Sequence, residues 1–249
     1  MPTVSDRIAL VTLSKQLRPN TVKTYRFLLR RIIDEQLPLS PDKLIHCLDV
    51  PNSNTKRATI MALRSVLGDN DIEGFSVKAL KIPEAIPRHY ELQTEDTYRL
   101  AIMLSPHSAR GLLMYDAGLR LGEACAVTKD SLVGQWLKVD RQIQQLEDCK
   151  IVEVKGTIDR IAVPKSLVPV IEGLNKTEEP AAVRASLRRA GMKVGIKMNP
   201  HQLRHAYITR LIDKGAPLPV VQRQARHKNI ALTLKVYYEH TTQALDWVD

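Results

Sequence analysis

The chain has little of three things that often reveal a protein's class. It carries only 3 cysteines in 249 residues, Cys47, Cys125 and Cys149, odd in number, widely spaced and without a Cys-x-x-Cys pair. That pattern supports neither a disulfide framework nor a zinc knuckle, and it implies a reducing compartment, the cytoplasm. Aromatic residues make up 4%, too few for a surface that grips single strands mainly by stacking bases on rings. No apolar run approaches the roughly 20 residues of a membrane span. The N-terminal stretch, with Asp6, Arg7 and the polar Ser14, Lys15 and Gln16, lacks the apolar core of a secretory signal. The chain is therefore expected to be neither embedded nor secreted. Repeats and low-complexity tracts are also missing from the sequence.

What is present is an ordinary globular composition, 44% hydrophobic and 26% charged, with an excess of positive charge: 37 Lys plus Arg against 27 Asp plus Glu, a formal net charge of +10. A polyanionic partner is the first expectation, and the phosphates of a duplex suit the composition better than unstacked bases. The length fits two modest domains. The segment from Ile82 to His89, with Pro83 and Pro87 and no clear period, separates them. The expected domains are 1–86 and 87–249.

The first domain reads as helical. Thr21 to Leu37 places Val22, Tyr25, Leu28, Leu29, Ile32 and Ile33 on one side, and a helix is predicted over that span. A short helix follows Ser40 and Pro41, and another runs from about Thr55 to Leu67, before Gly68. In the second domain Thr94, Glu95 and Asp96 form a start signal, and a further helix is predicted from Ser108 to Ala117. From Trp136 the pattern turns to short β-branched runs around Leu137, Val139, Ile143, Ile151, Val152, Val154, Ile158, Ile161 and Val163, which predict a small antiparallel sheet. Beyond Pro164 helices return. The expected fold class is mainly α with a small antiparallel β-sheet.

The charge is unevenly placed. Residues 1–90 hold 14 basic and 9 acidic residues, 91–183 hold 11 and 14, and 184–228 hold 11 and 1. A solvated face is usually mixed in sign, so the last segment is the expected phosphate-facing surface. Its candidate DNA-binding residues are Arg184, Arg188, Arg189, Lys193, Lys197, Arg223, Arg226 and Lys228.

The same segment contains His201-Gln202-Leu203-Arg204-His205. Two histidines four apart can share a helical face, but a zinc-protease helix needs Glu after the first, where Gln202 stands. No metal or cofactor is expected. Upstream, Arg120 lies in Gly118-Leu119-Arg120-Leu121-Gly122-Glu123. A guanidinium forks onto two phosphate oxygens and a nearby carboxylate can hold the fork, although in isolation such a pair is more often an ordinary ion pair. Lys155-Gly156 falls at an expected turn between strands, and His227, Tyr237 and Tyr238 complete the polar set.

Together these residues resemble the tyrosine recombinases, the phage-integrase family of site-specific DNA recombinases. The family's Gly-Leu-Arg-x-Gly-Glu stretch is matched by Gly118 to Glu123, its His-x-Leu-Arg-His box by His201 to His205, and its His-led tyrosine segment by His227 to Tyr237. Lys155, ahead of Arg160-Ile161-Ala162-Val163-Pro164, matches the family's hairpin lysine. The resemblance spans about Thr94 to His240. More weakly, Arg18-Pro19-Asn20-Thr21-Val22-Lys23-Thr24-Tyr25 looks like the opening helix of the family's N-terminal core-binding domain. Two departures stand out: Arg226 occupies the place before the histidine where the family usually has Gly, and the tyrosine is double. Spacing from His227 favours Tyr237, whereas Tyr238-Glu239-His240 reproduces a frequent Tyr-x-His ending.

The resemblance implies Arg120, Lys155, His201, Arg204, His227 and Tyr237 as catalytic residues, with Tyr238 the alternative nucleophile. Arg120 and Arg204 would bracket the non-bridging oxygens, His201 and His227 would hydrogen-bond the phosphate, and Lys155 would protonate the leaving 5′ oxygen. Glu123 and His205 would orient these groups. The expected partners are duplex DNA with specific recombination sites, three further copies of the chain at synapsis, and accessory DNA-bending proteins. Rival readings are a type IB topoisomerase and a DNA-binding protein without strand exchange.

Overall fold

A computed structural model describes residues 1–86, 91–144, 150–153, 160–227 and 234. The chain divides into two compact units, 1–89 and 90–249. The architecture is mainly helical with small antiparallel sheets. Among the described residues no helix is long and apolar enough to cross a membrane.

The first unit consists of α1 (Val4–Lys15), α2 (Pro19–Leu28), α3 (Pro41–Leu48) and α4 (Ser53–Val66). Helix α1 is not apparent from periodicity, since Val4 and Ile8 are its buried residues while Leu10 and Leu13 face solvent. Its start is written locally. Asp6 accepts from the Thr3 amide at 2.8 Å and the Asp6 amide donates to Thr3 Oγ1 at 3.2 Å, a capping box. Helix α2 ends at Leu28 rather than continuing to Leu37. The next residues turn back onto the N-terminus, where the Ser5 amide donates to the Ile33 carbonyl at 2.9 Å and Thr3 bridges Gln36. Leu29 and Ile32 still enter the core with Val4, Ile8, Leu63 and Val66. The helical period thus marks the buried residues correctly although the backbone satisfies its donors elsewhere.

The described part of the segment expected as a linker, residues 82–86, is tied to α4. Arg57 donates to the Pro83 carbonyl at 2.7 Å, and the Asn54 side-chain amide exchanges two hydrogen bonds with the backbone of Ile86, at 2.8 and 2.9 Å.

In the second unit α5 (Glu95–Met103) starts at Thr94, whose hydroxyl caps the Thr97 amide, and α6 (Ser108–Asp116) follows. After α7 (Leu121–Ala126) come β1 (Leu132–Val133), β2 (Trp136–Lys138), β3 (Arg141–Gln144), β4 (Lys150–Glu153) and β5 (Arg160–Ala162). Among the described residues the strands pair as two small antiparallel sheets, β1-β2-β5 and β3-β4. In the first sheet Leu137 is opposite Ile161, both buried, while Trp136 and Lys138 point outward, the alternation of a sheet with one wet face. Among the described residues, helices α8 (Val168–Glu172), α9 (Pro180–Lys193), α10 (Pro200–Asp213) and α11 (Leu218–Ala225) follow in this unit. Its core joins Ile102, Leu113, Met114, Leu137, Leu187 and Leu203, each such side chain contributing about 1.5–3 kcal/mol on burial.

Two arginines, one fully buried and one half-buried, fix the frame. Arg110 on α6, 0% exposed, donates to the carbonyls of Ala124 (2.9 Å), Val127 (2.7 Å) and Lys176 (2.6 Å), and pairs with Glu178 at 3.1 Å. It thereby takes up carbonyls at the C-terminal end of α7, which has no further helical turn to bond them. Arg210 on α10 lies 3.8 Å over the Tyr115 ring, donates to the Tyr115 carbonyl and reaches Asp116 at 3.3 Å. The end of α10 is thus locked to the end of α6.

Candidate active site

The turn between α6 and α7 sets the first arginine. Gly118 has φ +64°, a conformation that side-chain-bearing residues rarely adopt. Gly122 lies against β3, where a Cβ would come within 2.6 Å of the Ile143 carbonyl oxygen. Each glycine of the Gly-Leu-Arg-Leu-Gly-Glu stretch therefore has its own steric reason. Between them Arg120 is the N-terminal cap of α7, and Glu123, at the third helical position, accepts from its backbone amide at 2.7 Å. The other Glu123 oxygen accepts from Arg120 Nη1 at 2.9 Å. One carboxylate holds both the backbone and the side chain of the same arginine.

Helix α10 sets the second. Asn199 caps it, accepting from the Gln202 amide at 3.0 Å while Gln202 accepts from the Asn199 amide at 3.1 Å. The residue standing where a zinc protease has Glu is thus part of a helix cap. Arg204, one turn in and 6% exposed, donates through its two terminal nitrogens to the carbonyls of Gly118 and Ala225. His201 is exposed on the first turn, and His205 is half-buried with Nδ1 at 3.4 Å from Thr209 Oγ1.

The end of α11 brings the third group. Arg226 is left-handed (φ +52°) and its carbonyl accepts from Arg120 Nη2 at 3.2 Å. Consecutive carbonyls, those of Ala225 and Arg226, therefore hold the guanidiniums of Arg204 and Arg120. The His227 backbone is tied to Gln222, its amide donating to the Gln222 carbonyl and its carbonyl accepting from Gln222 Nε2, each at 3.1 Å.

The electrostatics are one-sided. Arg120, Arg204 and Arg226 surround a single carboxylate, Glu123, which is 1% exposed. Burial works against the Glu123 charge, but Arg226, Arg120 and Arg204 outweigh it and the carboxyl titrates below its ordinary range. Arg204 is pushed down to about 9 by burial and by the neighbouring Arg120 and Arg226. His227 is pushed down to about 4 by burial, Arg204, Arg120 and Arg226, so its imidazole is neutral near pH 7. With three guanidiniums against one carboxylate, the cluster has unspent positive charge suited to an entering anion.

The expected DNA-contacting residues divide. Arg184, Arg188, Arg189 and Lys193 are exposed on α9, Lys197 is exposed beyond it, and Arg223 is exposed on α11. Arg226, named with them as a DNA-binding candidate, differs in being buried, with Nη2 on Glu123. The sign of its charge was readable, its burial was not. A clue lay in its position, because an arginine just past a helix end, where a left-handed glycine is common, calls for a compensating contact. Lys155, Lys228, Tyr237 and Tyr238 lie outside the described residues.

Residues 164–244 match the model of the phage integrase family. In sequence the chain is 26% identical over 250 residues to the tyrosine recombinase XerA of Thermococcus kodakarensis, covering 91% of this chain and 88% of that protein. It is 34% identical over 131 residues to a tyrosine recombinase of Thermosipho africanus, covering 49% and 45%. In structure it is similar to a lambda integrase dimer bound to a COC′ core site, with a TM-score of 0.68 at 16% identity over 96% of this chain and 95% of that one. It is also similar to the Tn1549 transposon integrase in complex with a circular intermediate DNA, with a TM-score of 0.67 at 16% identity over 100% of both chains. The structural likenesses show the fold, and with the phage integrase domain at residues 164–244 and the sequence relatives they support a tyrosine recombinase. As an enzyme it is accordingly a tyrosine-type site-specific recombinase.

Proposed function

We propose that this recombinase cuts and rejoins duplex DNA at specific sites through a 3′-phosphotyrosyl intermediate and a Holliday junction. The observation that carries the reading is the convergence of Arg120 and Arg204 on the consecutive carbonyls of Ala225 and Arg226, beside a neutral His227, with one carboxylate among them. A guanidinium pair prepared in this way meets the charge that builds on the non-bridging oxygens of a phosphorane.

In this mechanism the Tyr237 oxygen attacks the scissile phosphorus and its proton passes to His201. The bond from phosphorus to the 5′ oxygen breaks, and Lys155 protonates the leaving oxygen. His227, neutral, donates a hydrogen bond to the phosphate. Glu123 orients Arg120, and His205 supports the helix that carries Arg204. The phosphotyrosine keeps the energy of the phosphodiester, so a 5′ hydroxyl from a partner strand reseals the DNA. Residues 1–86 act as a core-binding module, and the exposed arginines and lysines of α9 contact the backbone. Exchange between two duplexes calls for four protomers at synapsis, with DNA-bending proteins as accessory partners. The reading places the enzyme with cytoplasmic DNA, serving a virus, a mobile element or the resolution of replicon multimers.

The test is covalent trapping. Binding-site selection defines the DNA sequence, and a nicked duplex carrying it is incubated with the full chain. A protein–DNA adduct that disappears in Tyr237→Phe and persists in Tyr238→Phe is the expected result. The reverse pattern moves the nucleophile to Tyr238. No adduct on a tightly bound duplex overturns the reading in favour of binding alone, and relaxation of a supercoiled plasmid lacking the site overturns it in favour of a topoisomerase.

A further inference from the structure

Arg226 has features that a phosphate-contacting surface arginine does not share. It is 8% exposed, and its backbone is left-handed at the end of α11, a conformation in which glycine is at ease and an arginine is strained. The side chain turns inward to Glu123, a contact between groups that are 6% and 1% exposed. Glu123 carries Arg120 on its other oxygen and on the Arg120 backbone amide. The Arg226 carbonyl meanwhile accepts from Arg120 Nη2. Backbone and side chain of one residue therefore reach Arg120 by two routes, one direct and one through the carboxylate.

We propose that Arg226 is a positioning residue of this recombinase: by gripping Glu123 from the left-handed turn it fixes the orientation of the Arg120 guanidinium toward the scissile phosphate. The proposal rests on the active-site reading above. A buried carboxylate between two guanidiniums has one geometry that satisfies both. With only one partner left it can swing, and Arg120, 39% exposed on its side chain, swings with it. A small misorientation of this kind costs rate far more than affinity, because duplex binding is spread over many phosphate contacts while the chemical step depends on the aim of one fork. The inward-turned side chain also leaves the direct DNA contacts to its exposed neighbours, Arg223 among them.

The experiment uses the full chain, the selected nicked duplex and the variants Arg226→Gly, Arg226→Lys, Glu123→Gln and the double variant Glu123→Gln/Arg226→Gly. Glycine suits the left-handed backbone, so Arg226→Gly keeps the turn. Expected are a duplex Kd within about threefold of the parent and a single-turnover cleavage rate at saturating DNA lower by about 10- to 100-fold. Arg226→Lys restores part of the rate, and the double variant is no slower than the slower single variant, the signature of two residues acting as one unit. The proposal is overturned if Arg226→Gly weakens binding and leaves the saturated rate unchanged, or if the two losses multiply in the double variant. Should Arg226→Gly fold poorly, Arg226→Lys and the double cycle built on Arg226→Met give the same discrimination. Failure of the parent chain to form any adduct would instead remove the active-site reading itself.

Discussion

The ring of Tyr207 lies directly over the α-carbon of Gly118. A Cβ added there would overlap the ring, 2.6 Å from Cε1, in a backbone already at φ +64°. Because Gly118 also offers its carbonyl to Arg204, the contact links the packing of α10 to the aim of the Arg204 guanidinium. Gly118→Ala is expected to lose at least about 2 kcal/mol, combining left-handed strain with overpacking. Adduct formation is expected to fall further than stability alone explains. Urea unfolding and the trapping reaction, measured on the same preparation, check both.

Arg110 is the second test of the frame. Replacing it by Met keeps bulk but leaves the carbonyls of Ala124, Val127 and Lys176 without their donor and removes a partner of Glu178. The expected loss is roughly 3–5 kcal/mol, the range for breaking a buried ionic contact on one side. A midpoint of denaturation close to that of the parent would contradict it.

His227 predicts a pH dependence. Its folded value of about 4, set by burial and then by Arg204, Arg120 and Arg226, lies below the ordinary 6.5. The unfolded chain therefore takes up the proton first. The contribution of this group to stability is complete above about pH 6.5 and declines as pH falls toward 4. His227→Gln is expected to show a flatter stability profile across that window. Denaturant titrations at pH 7, 6 and 5 provide the comparison.

The exposed arginines of α9 predict a salt effect. If they meet phosphates, replacing Arg188 and Arg189 by Ala makes the slope of log affinity against log salt shallower by about 0.9 for each phosphate no longer neutralised. Cleavage at saturating DNA is expected to persist, since neither side chain belongs to the buried cluster. An unchanged slope would place the DNA on another face.

Local signals explain which features were legible in the chain itself. Thr94 before Glu95 and Asp96, Ser40 before Pro41, and the apolar positions Leu137 and Ile161 each carry their structural reason within a few residues, and each lies where it was expected. Helix α1 escaped because it buries little besides Val4 and Ile8, and α2 stopped early because a distant partner, the N-terminal residue Thr3, claims the backbone near Gln36. In the site, the order of the Arg120, His201 to Arg204 and His227 motifs was readable as pattern, but the bonds that join them were not. Arg204 meets Gly118 across 86 positions and Arg226 meets Glu123 across 103. Arg110, the one basic residue of the largely apolar α6, is a local sign of such long-range bonding without naming its partners.

Helix α7 has six residues, a length of about 9 Å, and both of its ends are held by buried charge. Glu123 closes the entry at Arg120, and Arg110 closes the exit at Ala124 and Val127. So short a helix would ordinarily fray from either end. Held at both, it is expected to open without fraying first. Its amides are expected to exchange with solvent only when the surrounding core opens, so any rearrangement that arms the enzyme on DNA must carry α6, α7 and their arginines as one solid piece.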